Sequence, residues 1–135
     1  MTESAKPLLL GDFELETLEY LWRKGHGTAK TIHAELGQKR GNTLNTVQST
    51  LDRLYKKGLL ERTKKSHSYF YECLFNRTEV LARKFNDLAT ELSGGEMKSV
   101  FEAFIEFTSR VDATRLDELE ALIAAFKTKQ PGDES

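Results

Sequence analysis

The sequence predicts a mainly α-helical protein with one small β-hairpin. Two observations lead to this fold class. Apolar residues recur every three or four positions along most of the chain, and one stretch near the middle changes to the composition of paired strands. The chain has 135 residues, which suffice for a compact domain with a helical appendage. Residues 1–10 are expected to form a loose arm before the first helix.

Three helices are predicted in the first third of the chain. The first is expected over residues 12–24, with Asp12 as its N-cap, because its apolar residues form one stripe. The second is expected over residues 28–36, capped by Thr28 and stopped by a glycine. The third begins at position 42 or 43 and ends near position 57, again before a glycine.

A hairpin is predicted directly after the third helix. Residues 59–63 and 69–73 are expected to be strands, and the polar, basic residues 64–68 are expected to be the turn. Three helices followed by a hairpin is the order of a winged helix-turn-helix domain. We therefore predict such a DNA-binding domain over residues 11–75.

The apolar periodicity of the back half predicts three more helices, near residues 78–92, 96–111 and 114–127. Each large apolar side chain left in water costs roughly 1.5–3 kcal/mol. These helices carry more apolar surface than they can bury on their own, so residues 76–130 are expected to form a homodimer. The predicted dimerisation residues are Leu81, Phe85, Leu88, Phe101, Phe104, Ile105, Leu116, Leu119, Ile123 and Phe126.

Charge is distributed unevenly along the chain. The net charge is -1, but residues 37–65 contain eight basic and only two acidic residues, whereas acidic residues are in excess after position 77. A basic segment inside a nearly neutral chain indicates a polyanionic partner for that segment. We expect this partner to be double-stranded DNA.

The predicted DNA contacts belong to three places in the winged domain. The N-terminal part of the third helix offers short polar side chains that can reach base edges, and its later basic residues are placed for phosphates. The start of the second helix and the lysines of the hairpin turn are also expected to meet the DNA backbone. The candidates are Thr28, Lys30, Thr43, Asn45, Thr46, Gln48, Ser49, Arg53, Lys56, Lys64 and Lys65.

Two segments of the winged domain carry a recognisable pattern: LETLEYLWRKGHGTAKTIHAEL, residues 15–36, and TVQSTLDRLYKKGLLERTKKSHSYFY, residues 46–71. Both resemble the penicillinase and methicillin-resistance repressor family. The layout of the back half is also similar. The resemblance implies a dimeric repressor on a dyad-symmetric operator, with base contacts from the matching positions of the third helix, which are Asn45, Thr46, Gln48 and Ser49.

The chain departs from this family at two places. Members that respond to β-lactams are cleaved at an Asn-Phe bond, and the nearest match here is Ala103-Phe104. That difference argues against a sensor protease as a partner. Copper-responsive members carry a paired Cys-x-Cys tail, whereas this chain ends in KTKQPGDES. Copper sensing by that route is therefore not expected.

Other classes of function find little support in the sequence. No apolar run approaches the ~20 residues of a membrane span, and we read no signal peptide at the N-terminus. Cys73 is the single cysteine, which fits a reducing cytoplasm. The spacing of His26, His33, His67 and Cys73 matches no metal site, and no nucleophile elbow or phosphate loop is present. We expect a cytoplasmic protein that is not an enzyme, with no metal and no cofactor.

Two alternatives to a simple repressor stay open at this point. In one, the winged domain docks another protein instead of DNA. In the other, a small molecule binds in a pocket between the two halves, lined by the phenylalanine-rich helix of residues 96–111, and shifts the geometry of the dimer. Core packing accounts for those phenylalanines equally well.

Overall fold

The computed structural model describes residues 7–112 and 114–129. The described chain divides into two compact units, the first ending at Asp87 and the second beginning at Leu88. The prediction of a mainly helical chain with one small hairpin is confirmed. The elements are α1 (Asp12–Lys24), α2 (Ala29–Ile32), α3 (Leu44–Lys56), β1 (Leu60–Lys65), β2 (Ser68–Cys73), α4 (Arg77–Leu92), α5 (Met97–Val111) and α6 (Thr114–Thr128).

The N-cap of the first helix lies one residue earlier than the sequence predicts. Gly11, and not Asp12, is the N-cap of α1, because its backbone is still extended and its N–H donates to Glu14 Oε1 at 2.8 Å. Asp12 is instead the first helical residue, where its carboxylate favours the positive end of the helix dipole. Gly25 ends the helix with a φ of 95°.

The second helix is shorter than predicted. Thr28 caps it as expected, but regular α-helix continues for only four residues and then widens into a π-helical turn over His33–Gly37. A 3-10 turn, Gln38–Arg40, occupies the start of the predicted irregular connector. Gly37 is required for packing here, because a Cβ at this position would lie 2.9 Å from Cγ2 of Val47 on α3. The glycine thus lets the end of this segment approach α3 closely.

The core of the first unit is built from the inner faces of its three helices and the hairpin. Leu18, Leu21, Ile32, Leu51 and Leu54 are almost completely buried. Fully burying such a side chain stabilises the fold by roughly 1.5–3 kcal/mol. Their spacing matches the apolar stripes that the sequence shows, so α1 and α3 present the faces that periodicity predicts.

The hairpin is longer and its turn is tighter than predicted. Strands β1 and β2 pair antiparallel from Leu60 opposite Cys73 to Lys65 opposite Ser68. Only two residues, beginning with Ser66 at a φ of 56°, remain for the turn. Lys64 and Lys65 are therefore strand residues and not turn residues as predicted, since the paired backbone continues through both.

The prediction of a loose N-terminal arm is wrong for residues 7–10. Leu8 is buried, its N–H donates to Asp87 Oδ2 at 2.8 Å, and its carbonyl accepts from Lys84 Nζ at 3.1 Å. Val80 of α4 is buried in the same core. These contacts draw the first part of α4 into the first unit, so that unit extends beyond residue 75. Residues 1–6 lie outside the described part of the chain.

The second unit contains the end of α4 and the helices α5 and α6, which pack against each other. Gly94 and Gly95 separate α4 from α5, both with positive φ. Among the residues predicted for dimerisation, Leu116 and Leu119 are half-buried within the protomer. The others are exposed, namely Leu81, Phe85, Leu88, Phe101, Phe104, Ile105, Ile123 and Phe126. No helix in the described ranges has the length and apolar character needed to cross a bilayer.

A buried carboxylate joins α1 to the C-terminal end of α3. Glu14 is only 5% exposed, and both of its oxygens accept from Lys57 Nζ, at 2.8 and 2.9 Å. Arg53 Nε lies 3.3 Å from Oε2 of the same carboxylate, and Lys57 Nζ also donates to the carbonyl of Leu9. Burial acts to raise the pKa of Glu14. The hydrogen bonds from Lys57 and Gly11 and the charge of Lys57 outweigh burial and hold the pKa below its ordinary value.

We predict that Glu14→Gln lowers the free energy of unfolding by about 2 kcal/mol at pH 7, because charged hydrogen bonds are lost. A lowered folded-state pKa means that ionised Glu14 stabilises the fold above the unfolded pKa and that this contribution fades as the pH falls. The loss measured by urea unfolding should therefore be smaller at pH 4 than at pH 7. Glu16→Gln is the matched control, since Glu16 pairs with Arg40 at the surface and should cost under about 1 kcal/mol. Equal losses for the two variants would contradict the prediction.

Candidate nucleic-acid interface

The N-terminal half of α3 presents a polar, uncharged surface. Thr43 is the N-cap of the helix, and its hydroxyl accepts from the N–H of Thr46 at 3.1 Å. Val47 and Thr50 are buried on the inner side, which turns the opposite face outward. Four of the predicted base-contacting residues are exposed on that face: Asn45, Thr46, Gln48 and Ser49. Amide and hydroxyl groups exposed at this end of a helix are suited to reading base edges in a major groove.

An acidic residue follows one turn later on the same helix. Asp52 pairs with Lys56 at 3.1 Å and with Arg62 of β1 at 3.4 Å. The hydrogen bond and charge of Lys56, together with those of Arg62, hold the pKa of Asp52 below its ordinary value. The carboxylate is therefore ionised at neutral pH and is compensated by two cations. Lys56 stays largely exposed, so its head group is accessible to a phosphate while it pairs with Asp52.

Two later cations of α3 are turned toward the protein. Arg53 contacts Glu14, and its Nη2 lies 3.2 Å from the hydroxyl of Thr50. Lys57 is bound to Glu14 and to a backbone carbonyl. Arg53 keeps about half of its side chain in solvent, so contact with phosphate stays a prediction for it. The geometry assigns Arg53 and Lys57 a structural role that spacing alone does not reveal.

The two lysines at the end of β1 lie on opposite faces of the hairpin. Cross-strand pairing places Lys64 opposite Tyr69, on the face that also carries Arg62 and Tyr71. Its Nζ is 5.7 Å from the ring centre of Tyr69. Lys65 occupies the other face, with its Nζ 5.4 Å from the ring centre of Phe70. The predicted pair of equivalent wing-tip cations is therefore split between two surfaces.

The start of α2 offers less to an anion than the sequence suggests. The backbone N–H groups of Thr28 and Thr31 are already hydrogen-bonded within the helix start. The N–H of Thr28 donates to Thr31 Oγ1 at 3.0 Å, and the N–H of Thr31 donates to Thr28 Oγ1 at 3.2 Å. The helix is four residues long, so its dipole is small. Lys30 is exposed and remains available for a phosphate contact.

An open groove of about 480 Å³ brings these elements of the first unit together. The groove is lined by the start of α2, the outer face of α3 and the hairpin. Sequence reasoning identified three of the lining residues as DNA contacts, namely Thr28, Lys30 and Gln48. The other lining residues were not predicted as contacts; the alternation of basic and aromatic residues in the hairpin could have signalled only those that belong to the hairpin. They are Ala29, Leu44, Asp52, Arg62, His67, Ser68, Tyr69 and Tyr71.

Ion pairing changes how much positive charge this surface offers. Five of the eight cations between positions 37 and 65 lie within 4 Å of a described carboxylate; they are Arg40, Arg53, Lys56, Lys57 and Arg62. The other three are exposed and form no ion pair within residues 7–112 and 114–129; they are Lys39, Lys64 and Lys65. The uncompensated charge is therefore concentrated at the hairpin and at the turn before α3.

The structure gives His33 and Cys73 local surroundings that do not favour metal binding or nucleophilic catalysis. His33 Nε2 lies 3.0 Å from the carbonyl oxygen of Asn42, where it bridges the turn before α3. Burial raises the pKa of the half-buried Cys73 thiol to about 11, so it is protonated at neutral pH and a poor nucleophile. No group of three or more potential metal-binding side chains occurs among the residues that the structure describes.

With this geometry established, comparison with known proteins assigns the family. Residues 10–125 match the family model described as penicillinase repressor. The chain belongs to the penicillinase repressor family. The transcriptional regulator BlaI of Mycobacterium tuberculosis is 28% identical over 124 residues, covering 91% of this chain and 88% of that protein. The penicillinase repressor of Staphylococcus aureus is 24% identical over 116 residues, covering 86% and 91%. The family resemblance inferred from the sequence is thus confirmed.

A solved structure of the YusO protein from Bacillus subtilis is also similar. It has a TM-score of 0.45 and 20% sequence identity, and it covers 76% of this chain and 74% of that one. The two relatives named above are a transcriptional regulator and a penicillinase repressor. The order of helices and hairpin described above is that of a winged helix-turn-helix.

We predict that Arg53 and Lys56 differ in their effect on stability although both are cations on α3. Arg53→Met removes one of the two cations on buried Glu14 and should lower the free energy of unfolding by about 1 kcal/mol. Lys56→Met removes an exposed i,i+4 pair and should change it by no more than about 0.5 kcal/mol. Urea unfolding of both variants measures the difference, and a larger loss for Lys56→Met would overturn it.

Proposed function

We propose that this protein is a transcriptional repressor that binds a dyad-symmetric DNA operator as a homodimer. The observation that carries the proposal is the exposed polar half of α3 next to a hairpin whose lysines have no ion-pair partner in the described chain. Family membership supports the class of function, since the relatives are named as transcriptional regulators and repressors.

In this proposal the outer face of α3 reads bases in the major groove. Gln48 and Asn45 carry amides that can pair bidentately with adenine, and Thr46 offers a methyl group to thymine. Ser49 can donate to or accept from a base edge. The inner face of α3 stays packed through Val47, so the helix can enter the groove without losing its core contacts.

Contacts to phosphate would fix the register of the domain on the duplex. Lys64 and Lys65 extend from the two faces of the hairpin, so one reaches toward the α3 side and the other away from it. Such contacts position the protein but carry no sequence information. The proposed backbone contacts are Thr28, Lys30, Thr43, Arg53, Lys56, Lys64 and Lys65.

The exposed apolar side chains of the back half support a homodimer. Phe101 is 63% exposed and Phe126 is 62% exposed in the protomer. Such residues on several helices form more apolar surface than a monomer ordinarily leaves in water. A second copy with twofold symmetry would cover the same residues on both chains and place two winged domains on two half-sites. We include no sensor protease, because Ala103 stands where the cleaved members have asparagine.

The direct test of the proposal is selection of duplexes from a random pool, followed by measurement of affinity for the selected sites at physiological salt. We expect recovery of a palindrome that binds at least 10³-fold more tightly than random duplex. Affinity for it should fall by about 0.9 log units per phosphate contact for each log unit of salt. Recovery of no preferred sequence would overturn the proposal, and stoichiometric capture of a protein partner in its place would favour the docking alternative.

We predict different effects for the two kinds of contact. Gln48→Ala should reduce discrimination against a substituted base pair by about 1–3 kcal/mol, because a bidentate contact is lost. Lys64→Ala should weaken binding to all duplexes equally and lower the salt slope by about 1. Fluorescence anisotropy with the palindrome and with single-substitution duplexes measures both effects. Gln38→Ala, an exposed glutamine outside α3, is the control and should leave discrimination unchanged.

We also predict that Phe101→Ser shifts the protein toward monomer at micromolar concentration, because it removes an exposed apolar side chain from the proposed interface. Sedimentation velocity measures this shift. Leu9→Ser is the control, since Leu9 is 69% exposed but belongs to the first unit. A wild-type protein that sediments as a monomer at these concentrations would contradict the dimer.

A further inference from the structure

One arginine connects the hairpin to the outer face of α3. The guanidinium carbon of Arg62, on β1, lies 3.9 Å from the ring centre of Tyr55 and 4.3 Å from the ring centre of Tyr69. Its Nη1 is 3.4 Å from Oδ1 of Asp52. Tyr55 and Asp52 belong to α3, whereas Tyr69 belongs to β2. The side chain therefore contacts both elements that the proposed function places on DNA.

The strand register explains why Arg62 can occupy this position. Arg62 lies directly opposite Tyr71 across the hairpin, two pairs away from Lys64 opposite Tyr69 and on the same face. Tyr71 is buried, and its backbone pairs with Gly27 before α2 through bonds of 2.8 and 3.1 Å. This end of the hairpin is thus anchored to the domain. Arg62 therefore belongs to the anchored pair, two residues before Lys64.

The chemistry of the side chain suits a connection and not a phosphate contact. A guanidinium is planar and stacks on aromatic faces while its edge binds a carboxylate. Arg62 contacts two rings and one carboxylate, and only 24% of its side chain is exposed. A lysine has a point charge on a flexible stem and cannot satisfy two rings and a carboxylate in the same fixed geometry.

We propose that Arg62 is a positioning residue that holds the hairpin against α3, so that Lys64 reaches the DNA backbone while Gln48 reads a base. Asp52 and Tyr55 provide the α3 side of this connection, and Tyr69 provides the hairpin side. The inference rests on the proposed function. It adds that the hairpin contributes to DNA affinity only when this connection is intact.

A double-mutant cycle on DNA binding tests the coupling. Arg62→Gln and Lys64→Ala should each weaken binding to the selected palindrome, by roughly tenfold for coupled groups of this kind. If Arg62 acts by placing Lys64, the combined variant should bind no more than about twofold more weakly than Lys64→Ala alone. A combined loss equal to the product of the two single losses would overturn the proposal, because Arg62 would then act independently of the hairpin lysine.

The conservative variant separates positioning from direct contact. Arg62→Lys keeps the charge but loses the stacked plane, so we expect it to bind as weakly as Arg62→Gln. Binding of Arg62→Lys at the wild-type level would instead indicate that Arg62 meets phosphate itself, and would overturn the proposal. Arg110→Gln is the control for loss of one positive charge, since Arg110 is exposed on α5 and pairs only with Glu106 among the described carboxylates.

Hydrogen exchange of the free protein tests whether Arg62 holds the hairpin against α3 independently of any DNA binding. Hydrogen exchange of the free protein should show faster exchange of the β1 and β2 amides in Arg62→Gln, with little change in α1. Unchanged exchange in the hairpin would overturn the positioning role whether or not the protein binds a palindrome. If the wild-type protein selects no palindrome but the hairpin loosens as expected, the proposed function fails while the mechanical connection stands.

Discussion

The contact between the buried carboxylate of Glu14 and the C-terminal end of α3 supports the geometry of the first unit. Lys57 and Arg53 meet this carboxylate from α3, and the N–H of Gly11 meets it from the start of α1. The same Lys57 binds the carbonyl of Leu9, beside the Leu8 backbone that contacts α4. One acidic residue therefore links α1, the C-terminal end of α3 and the N-terminal segment, in addition to the apolar core that packs α1 against α3.

This anchoring also divides the basic residues into two functional groups. Arg53 and Lys57 form ion pairs with Glu14. Lys56 and Arg62 form ion pairs with Asp52, so the positive charge of all four residues is compensated inside the protein. The lysines at the far end of β1 are left for an external anion. The uncompensated charge is therefore concentrated at the hairpin and at the turn before α3. In the proposed function, α3 carries the base-reading residues, and the hairpin lysines add backbone contacts to those of α2 and α3.

Periodicity was sufficient to predict the long elements. The apolar stripes of α1 and α3 locate both helices to within a residue or two, and the aromatic strand β2 identifies the hairpin. The polar face of α3 with Gln48 follows from the same stripe, because the residues opposite a buried face must be exposed. The family resemblance rests on these same elements, which explains why it was visible from the sequence.

Features that depend on tertiary contacts were not predictable in this way. The π-helical turn after α2 ends at Gly37, which packs against Val47 of α3, and buried Leu8 contacts α4 through its backbone. The last residues of β1, up to Lys65, belong to a run of charged residues with little strand preference. They are part of the strand because their backbone pairs with β2. Ion pairs between residues about 40 positions apart, such as Glu14 with Arg53, leave no local pattern.

In the proposed function, α3 and the hairpin form one DNA-reading surface. Chemical-shift mapping of the amide resonances on titration with the selected palindromic duplex is the most direct experiment. We expect large, simultaneous shifts in residues 43–49 and 63–69, and small shifts around Trp22 and Phe75 on the α1 side. Shifts confined to the Trp22 and Phe75 side, or shifts in α3 without any in the hairpin, would contradict it.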